Sequence, residues 1–459
     1  MADPPIERIQ ALAEQVETLR EENRQLRERV AELERDNERL RDELDQARRE
    51  AARQAAPFRR REGTKVPPGQ RKRPGRKPGH KASWRRPPPE VDETLEVPLP
   101  CCPVCGEALG RRRRIEQIIE EIPPMRPRVF RVITYSGVCR CCGRVHSTHP
   151  LQTSRAGGAA RVQLGPRAQA LAALLNKVFG LSLRKTRDVL RALTGLRVSP
   201  GGLSQALDRV ADRSGGLYDA LVEDLRGRPA VFADETSWWV GEPGWWLWAF
   251  TSAHETVYHV ADNRGARVIE DVLGSAFGGM LVSDCLSSYD PAPYAKHKCI
   301  AHHQRAIAKA RASPANPDPT YLDTWRAFFR AVTAVWKIRG ELPEAYYATL
   351  REGLESRCDE WLALPCTQPG DIAIRNRLSK QREHLLGCLY EPAAEPTNNR
   401  AERALRPAVI ARKVSCGNRT DRGRRTWQTL ASLGATCAQR GLDFADLLAS
   451  HIRLAPSTR

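Results

Sequence analysis

Three acidic residues, far apart in the chain, have surroundings that suggest metal-dependent chemistry on a phosphodiester. Asp234 follows the apolar run PAVFA, and Asp284 ends the stretch GGMLVSD. Glu402 lies within TNNRAERALRP, among arginines that recur every third residue. Three carboxylates can hold two divalent cations about 3.5–4 Å apart, one activating the attacking oxygen and the other stabilising the leaving oxygen. Taken alone, Glu402 is also explained by a solvated helix in which it pairs with Arg406.

The segments around the two aspartates predict strands of one sheet. PAVFADETSWWV, GWWLWAFTS and ETVYHVAD have the pattern of a three-strand meander, GARVIEDVLGSAF that of a helix, and GGMLVSDC that of a buried strand. This is the opening order of the RNase H-like fold, in which the first and fourth strands are neighbours. Asp234 and Asp284 would then meet at one edge of the sheet. Glu235 would point to the opposite face because side chains alternate along a strand.

Two cysteine pairs indicate a structural zinc site. Cys102 and Cys105 form one C-x-x-C, Cys139 and Cys142 form the other, and each pair is followed by glycine. Four thiolates from two such knuckles make a closed tetrahedral zinc site. A small ribbon with the strand-like RVFRVITYSGV would lie between the knuckles. Free thiols are the alternative, and either knuckle could slip to its spare neighbour, Cys101 or Cys141.

The first fifty residues predict a helix that pairs with a second copy of itself. Apolar residues and two asparagines recur in alternating steps of four and three from Ile9 to Ala47. Branched residues in one register and leucines in the other favour a parallel two-stranded coiled coil, and Asn23 and Asn37 at core positions would fix its register. We therefore expect a homodimer or a higher oligomer. A lone amphipathic helix packed on the body of the protein is the alternative.

A basic arm rich in proline and glycine follows this helix. Its composition prevents a helix or a buried core. Within it, RKRPGRKPGHK is similar to the short Arg-Pro-Gly segments that lie along the DNA minor groove. Phosphate contact without sequence preference is the simpler role. The candidate DNA-binding residues of the arm are Arg71, Arg73, Arg76, Lys77, His80 and Lys81.

Helical patterns fill two further regions. Between Leu164 and Ser214, amphipathic runs are separated by a glycine-containing turn and a Ser199–Pro200 helix start. This arrangement is typical of DNA-reading helix-turn-helix units, and equally of simple packing units. The second region, residues 312–396, is called the helical insertion below. The residues after Glu402 predict a closing pair of helices.

Charge and export signals limit the setting in which the protein acts. Lysine and arginine total 74 against 55 acidic residues, which gives a net charge of +19. Such an excess favours a polyanionic partner. The sequence has no secretory h-region and no apolar run long enough for a membrane span. We therefore expect a cytoplasmic protein that associates with DNA and not with a membrane. In that setting, thirteen cysteines favour thiols or metal ligands over disulfides.

Four stretches, FADETSWW, LVSDCLSSYD, KCIAHHQRAI and TNNRAERALRP, occur in the order found in DDE transposases of the insertion-sequence-66 family. The zipper, arm, knuckles and helical region before them resemble that family as well. The resemblance implies catalytic acids at Asp234, Asp284 and Glu402. It also implies two Mg²⁺ ions per site, with Mn²⁺ possible, and Arg400, Arg403 and Arg406 facing DNA phosphates. The partners implied are terminal inverted repeats, target DNA and accessory proteins of the same element.

The predicted fold class is a multidomain α+β protein, and its function is DNA cleavage at element ends followed by strand transfer. Two rival functions remain open, a DNA-binding regulator with an inert triad and an RNase H-like nuclease that never joins strands. The predicted domains are a coiled coil (6–50), a basic arm (57–92), a zinc domain (95–150), a helical DNA-binding domain (160–216), the first part of an RNase H-like core (228–311), the helical insertion (312–396), and the last part of the core with the C-terminal helices (397–453).

Overall fold

The computed structural model describes residues 21–22, 24–33, 36–37, 79–80, 85–153 and 162–454. The chain divides into two compact units, one ending at Ile119 and the other beginning at Glu120. Among the described helices, none is both long enough and apolar enough to cross a membrane.

In the first unit, the described residues between 21 and 37 are helical, as the heptad pattern predicts. Leu26, Val30 and Leu33 occupy predicted core positions of the coiled coil, and all three are exposed along this helix. The rest of the predicted coiled coil lies outside the described residues. Pairing with a second chain therefore stays a prediction.

The basic arm is described only in part. Five of its candidate DNA-binding residues lie outside the described residues: Arg71, Arg73, Arg76, Lys77 and Lys81. His80 is described and exposed, and residues 85–92 are in neither a helix nor a strand. The role of the arm stays a prediction.

Regular structure in the second unit begins with a short hairpin. Strand β1 (Ser136–Cys139) pairs antiparallel with β2 (Gly143–His146). The prediction of a strand through RVFRVITYSGV is wrong for most of its length, since residues 128–135 are in neither a helix nor a strand. A strand requires a hydrogen-bonded neighbour, and among the described residues only Tyr135, at the end of this stretch, has one, since its carbonyl accepts the Ser147 N–H at 2.9 Å. Val129 is accordingly 92% exposed.

Among the described residues, four helices follow the hairpin. Helix α1 (Pro166–Ala173) continues as a π-helical turn, Leu174–Val178, and α2 (Leu183–Thr194) comes next. Helix α2 ends at Gly195, whose φ of 74° is the left-handed cap that glycine favours. Helices α3 (Pro200–Arg213) and α4 (Gly215–Arg226) complete the set. Ser199 caps α3 by accepting the Gly202 N–H at 3.0 Å, as its Ser-Pro start predicts.

The centre of this unit is a five-stranded mixed sheet. Its strands are β3 (Ala230–Val240), β4 (Glu242–Thr251), β5 (Thr256–Ala261), β6 (Met280–Ser283) and β7 (Ala295–Lys298). The spatial order is β5-β4-β3-β6-β7. The first three strands form an antiparallel meander, whereas β6 runs parallel to β3 and β7 parallel to β6. The predicted adjacency of the first and fourth strands of the sheet is confirmed. Helix α5 (Arg267–Leu273) connects β5 to β6.

The sheet is covered on both faces, so successive side chains along a strand contact two different sets of neighbours. From β3, Val231 and Ala233 enter a core shared with helices α1 to α5. Phe232, on the other face, packs in a core built with the helical insertion. Trp238 packs farther along that second face against the C-terminal helices. Asp234 and Glu235 are neighbours on β3, so their side chains lie on opposite faces of the sheet and have different surroundings.

Helices supply the remainder of the unit. They are α6 (Ile300–Arg311), α7 (Thr320–Ile338), α8 (Glu344–Leu362), α9 (Pro369–Lys380), α10 (Asn399–Ser415), α11 (Asp421–Arg440) and α12 (Phe444–Leu454). Helices α7 to α9 belong to the helical insertion, whose helical character is as predicted. Trp325 is fully buried in its core. The mixed α+β class predicted from the sequence is confirmed.

Candidate active site at the ends of the central strands

The two aspartates lie side by side because of the parallel register between β3 and β6. Phe232 is the partner of Val282 in this register. Asp234 and Asp284 each follow two residues later, so continuation of the register brings them opposite one another. β6 ends at Ser283, which leaves Asp284 at the edge of the sheet. Both aspartates are half-buried.

Local hydrogen bonds fix the turn that carries Asp284. Its carboxylate accepts the N–H of Leu286 at 2.9 Å, and the Ser283 hydroxyl donates to the Asp284 carbonyl at 3.0 Å. The buried Lys298 ammonium on β7 donates to that same hydroxyl at 3.3 Å. Lys298 is held in turn by an ion pair with Asp290 at 3.1 Å. The end of β6 is therefore tied to the neighbouring strand.

Glu402 reaches the same region from the first turn of α10. The buried Asn398, which precedes this helix, donates from its side chain to the Ala233 carbonyl at 2.7 Å. The Asn398 N–H donates to the Cys299 thiol at 3.2 Å. These bonds fasten the start of α10 to the residue before Asp234. Glu402 is thereby directed toward the strand ends although it lies far along the chain.

The charges of Asp284 and Glu402 both act on the carboxyl group of Asp234, so the three acids are near one another. The pKa of Asp234 is raised to about 7, first by burial and then by the charges of Glu235, Asp284 and Glu402. One hydrogen bond opposes this shift, from the Glu235 N–H to the Asp234 carboxylate at 3.0 Å. An acid beside other acids resists ionisation unless a cation joins them. This cluster therefore favours a bound cation.

In the described part of the chain, no group of three or more His, Cys, Asp or Glu side chains is placed to hold a metal ion. Glu402 instead accepts a hydrogen bond from Arg305 at 3.3 Å. The donor set nevertheless fits Mg²⁺, which prefers carboxylate oxygens. Binding would require the carboxylates to close in and Arg305 to release Glu402.

Cys299 and His302 lie where α6 begins, beside the acids. Cys299 is buried and accepts the Asn398 N–H described above, so it has a packing role. His302 is half-buried, and its Nε2 lies 2.9 Å from an Arg305 nitrogen. Burial and the charge of Arg305 lower the pKa of His302, while Asp284 and Glu402 raise it. His302 is therefore part of the acidic neighbourhood.

Glu235, next to Asp234, belongs to the opposite face as predicted. Its buried carboxylate accepts hydrogen bonds from Arg264 and from the Tyr289 hydroxyl, both at 2.6 Å. Arg264 also stacks on Trp246, with 4.3 Å between the guanidinium carbon and the ring centroid. These partners satisfy Glu235 completely within the fold. It is a structural acid.

The three arginines around Glu402 differ in their partners. Arg400 is ion-paired with Glu395 at 2.5 Å and lies over the Phe232 ring. Arg403 and Arg406 are exposed. The described residues offer no ion pair to either of them. Arg403 and Arg406 are thus open to an external anion, whereas Arg400 is committed to internal contacts.

Each predicted cysteine knuckle forms its own turn. The Gly106 N–H donates to the Cys102 carbonyl at 2.9 Å, and Gly106 and Gly143 have φ values of 78° and 72°. N–H groups of Cys105 and Val104 lower the pKa of Cys102. Those of Cys142 and Cys141 do the same for Cys139. The glycines thus let the backbone turn beneath the thiols, while the four-cysteine zinc site stays a prediction.

Three residues near the acids were missed from the sequence: Arg305, Arg377 and Asn398. Arg305 could have been suspected, since it follows His302 by one helical turn in KCIAHHQRAI. Asn398 lies within the stretch TNNRAERALRP but received no role there, and Arg377 carries no local signal. Their importance comes from contacts with residues distant in the chain.

Comparison with known proteins adds a family to this geometry. The sequence model described as Transposase IS66 family matches residues 161–426, more than half of the chain. The uncharacterized protein y4qI of Sinorhizobium fredii is 28% identical over 308 residues, which cover 60% of this chain and 56% of that protein. The uncharacterized protein y4jD of the same organism is 24% identical over 392 residues, covering 77% of this chain and 74% of that protein. The chain thus spans little more than half the length of y4qI.

Proposed function

Because the chain belongs to the IS66 family of transposases, we propose that it cuts DNA at the ends of an insertion sequence and joins those ends to target DNA. The observation that carries this proposal is the acidic cluster at the strand ends. Asp234, Asp284 and Glu402 come from three distant segments, and burial together with the charges of Glu235, Asp284 and Glu402 raises the pKa of Asp234 to about 7. A buried acid whose pKa is raised beside other carboxylates is typical of functional sites.

The sheet order supports an RNase H-like core for this activity. A meander of three antiparallel strands, followed by two strands parallel to the first, is the order expected of that fold. In such a core the acids lie where parallel strands end and helices pack against them. The helical insertion then separates the second aspartate from the glutamate in sequence but not in space.

Asp234, Asp284 and Glu402 are the proposed ligands of two Mg²⁺ ions, for which Mn²⁺ is a possible substitute. When bound, the metals would activate the attacking oxygen and stabilise the leaving one. In this proposal, the chain's own residues hold the three carboxylates around one space at the strand ends. In the first reaction, water breaks the phosphodiester and leaves a 3′-OH on the element end. In the second, that hydroxyl attacks a target phosphodiester and displaces a 3′ oxygen.

Several surfaces are proposed to bind DNA. Arg403 and Arg406 are exposed near the acids and free of internal ion pairs, so phosphate contact is their proposed role. Arg400 would act mainly by supporting the helix that carries Glu402. The basic arm, with Arg71, Arg73, Arg76, Lys77, His80 and Lys81, would hold DNA outside the active site. The net charge of +19 agrees with a polyanionic partner.

Self-association and zinc complete the proposal. The exposed Leu26, Val30 and Leu33 would be buried by a second copy of the helix, giving a homodimer or a larger assembly. Zn²⁺ held by Cys102, Cys105, Cys139 and Cys142 would have a structural role. Accessory proteins of the same element are further proposed partners.

An assay with DNA carrying the terminal repeats of the element separates this function from its rivals. The protein is incubated with Mg²⁺, the repeat DNA and a target plasmid. We expect both cleavage and strand-transfer products from the wild type, and neither from Asp234→Asn. Cleavage without joining would identify a nuclease, and metal-independent binding alone would identify a regulator.

A further inference from the structure

Arg377 is an arginine of the helical insertion whose surroundings differ from those of its neighbours. It lies on α9, which packs against α6, the helix that carries His302. The residue is half-buried, and its Nε is fully buried without a hydrogen-bond partner. A buried donor without a partner is destabilising because it has lost its hydrogen bonds to water. Such a group is expected to gain a partner when the protein binds its ligand.

Several other arginines of the same region have internal partners. Arg382 holds Asp359 at 2.8 Å and Glu355 at 2.6 Å. Arg311 holds Asp323 at 2.9 Å. Arg339 stacks on Trp336 with 4.3 Å between the guanidinium carbon and the ring centroid. The fold therefore supplies counter-charges or aromatic partners to the arginines that stabilise the insertion, but no carboxylate within ion-pair distance of Arg377 in the described part of the chain.

The charge of Arg377 acts on residues beside the acidic cluster. Burial raises the pKa of Cys285, the residue after Asp284, and the charge of Arg377 partly opposes this increase. It also adds to the lowering of the pKa of His302 and of His303, which burial causes first. His303 is held in place by stacking on Phe329 at 5.6 Å and by a contact of 3.6 Å with the Cys285 thiol. These interactions put the guanidinium next to the turn that carries Asp284.

A second arginine, Arg305, lies beside the acidic cluster. Arg305 donates to Glu402 at 3.3 Å and lies 2.9 Å from His302 Nε2. The other ring nitrogen of His302, Nδ1, is buried and unpartnered. The space in front of the acids is therefore bordered on one side by carboxylates and on the other by two arginines and a histidine.

We propose that Arg377, with Arg305 and His302, forms a phosphate-binding subsite that the helical insertion contributes to the active site. Its ligand is a phosphate of the DNA strand that is cut, so the inference rests on the proposed function. A guanidinium can bind two non-bridging phosphate oxygens at once, which fixes orientation as well as position. Arg377 is thus a substrate-binding residue that aligns the strand with Asp234, Asp284 and Glu402.

The test compares Arg377→Gln and Arg377→Lys with Arg375→Gln. Arg375 is a matched control because it lies two residues away on α9 and is also half-buried. Binding of the full-length variants to terminal-repeat DNA is measured without divalent metal, and cleavage is measured with Mg²⁺. We expect Arg377→Gln to reduce cleavage about 10- to 100-fold, the range for a charge-assisted hydrogen bond. Arg377→Lys should recover part of this loss, and Arg375→Gln should stay within about threefold of wild type.

A scan with methylphosphonate-substituted DNA identifies the phosphate and remains decisive if Arg377→Gln folds poorly. A single neutral linkage near the cut should weaken binding by the wild type, and the same linkage should have a smaller effect on Arg377→Lys. Equal sensitivity of these two proteins at every linkage, or cleavage by Arg377→Gln equal to that by Arg375→Gln, would overturn the subsite. Wild-type protein that binds but never cuts would instead overturn the proposed function, and the binding scan would still decide the subsite.

Discussion

Asp234 and Glu235 are adjacent on one strand, yet the fold treats them in opposite ways. Glu235 is buried with two hydrogen-bonding partners, Arg264 and Tyr289, each at 2.6 Å. Asp234 faces two other acids and has its pKa raised to about 7. The protein thus provides internal partners for Glu235. It leaves the other acid in a repulsive cluster that an external cation would relieve.

The largest expected effect is on catalysis, and it should distinguish the acids of the cluster from Glu235. Asp284→Asn and Glu402→Gln should each reduce Mg²⁺-dependent cleavage of terminal-repeat DNA by about a thousandfold or more, since each removes a proposed metal ligand worth several kcal/mol. Glu235→Gln should stay within about tenfold of wild type when assayed well below its melting temperature. Initial rates under single-turnover conditions check this contrast. Equal losses in Glu235→Gln and Asp284→Asn would erase the distinction between the two faces.

The second prediction concerns stability, for which Glu235 should matter more than Asp234. Glu235→Gln should lower the free energy of unfolding by about 1–3 kcal/mol, because the charge of Arg264 loses its buried partner. This range is reduced from that of a fully buried pair, since the Arg264 side chain is 41% exposed. Asp234→Asn should cause no comparable loss. Urea unfolding at neutral pH measures both variants, and a larger loss in Asp234→Asn would contradict the assignment.

The third prediction concerns the pH dependence of stability. The pKa of Asp234 is raised to about 7 in the folded protein, so folding disfavours its ionised form. Wild-type stability should therefore decline as the pH rises from about 4 through 7, relative to Asp234→Asn. At about pH 8 and without metal, Asp234→Asn should be more stable by about 1–2 kcal/mol, a range reduced for solvent access.

Mg²⁺ supplies the control for this pH effect. Adding it at about pH 8 should stabilise the wild type more than Asp234→Asn, because the cation offsets the repulsion among the acids. Paired melting curves with and without Mg²⁺ make the measurement. A stability difference between the two proteins that does not vary with pH would contradict the prediction.

The smallest expected effect extends the comparison to the arginines of α10. The double variant Arg403→Gln/Arg406→Gln should weaken DNA binding and reduce the slope of log affinity against log salt by about 1 to 2. Its unfolding free energy should change little, since both side chains are exposed. Arg400→Gln should instead lower stability through loss of Glu395. Binding isotherms at several salt concentrations, together with melting curves, separate the two roles.

The sequence predicted what depends on local periodicity. The apolar runs before Asp234 and Asp284 predicted strands, and the order of elements predicted that these strands are neighbours. Helix ends also carried their own signals, as at Gly195 and Ser199. Such features arise from residues close together in the chain, so a single sequence contains them.

Features that depend on distant contacts could not be predicted in the same way. Residues 128–135 alternate like a strand, but a strand forms only where a partner is available. Asn398 fixes α10 through the Ala233 carbonyl, and Arg377 approaches Cys285 only because α9 packs against α6. The satisfaction of Glu235 by Tyr289 likewise joins residues that no spacing rule connects. The internal partners of each acid could therefore be identified only from the structure.

Localised cleavage by Fe²⁺ tests the proposed metal site most directly. Fe²⁺ bound in place of Mg²⁺ generates hydroxyl radicals with ascorbate and peroxide, and these cut the polypeptide near its metal ligands. We predict fragments ending close to residues 234, 284 and 402, all suppressed together by excess Mg²⁺ and all lost in Asp234→Asn. Cuts at only one of these positions, or a pattern unchanged in Asp234→Asn, would contradict a metal site shared by the three acids.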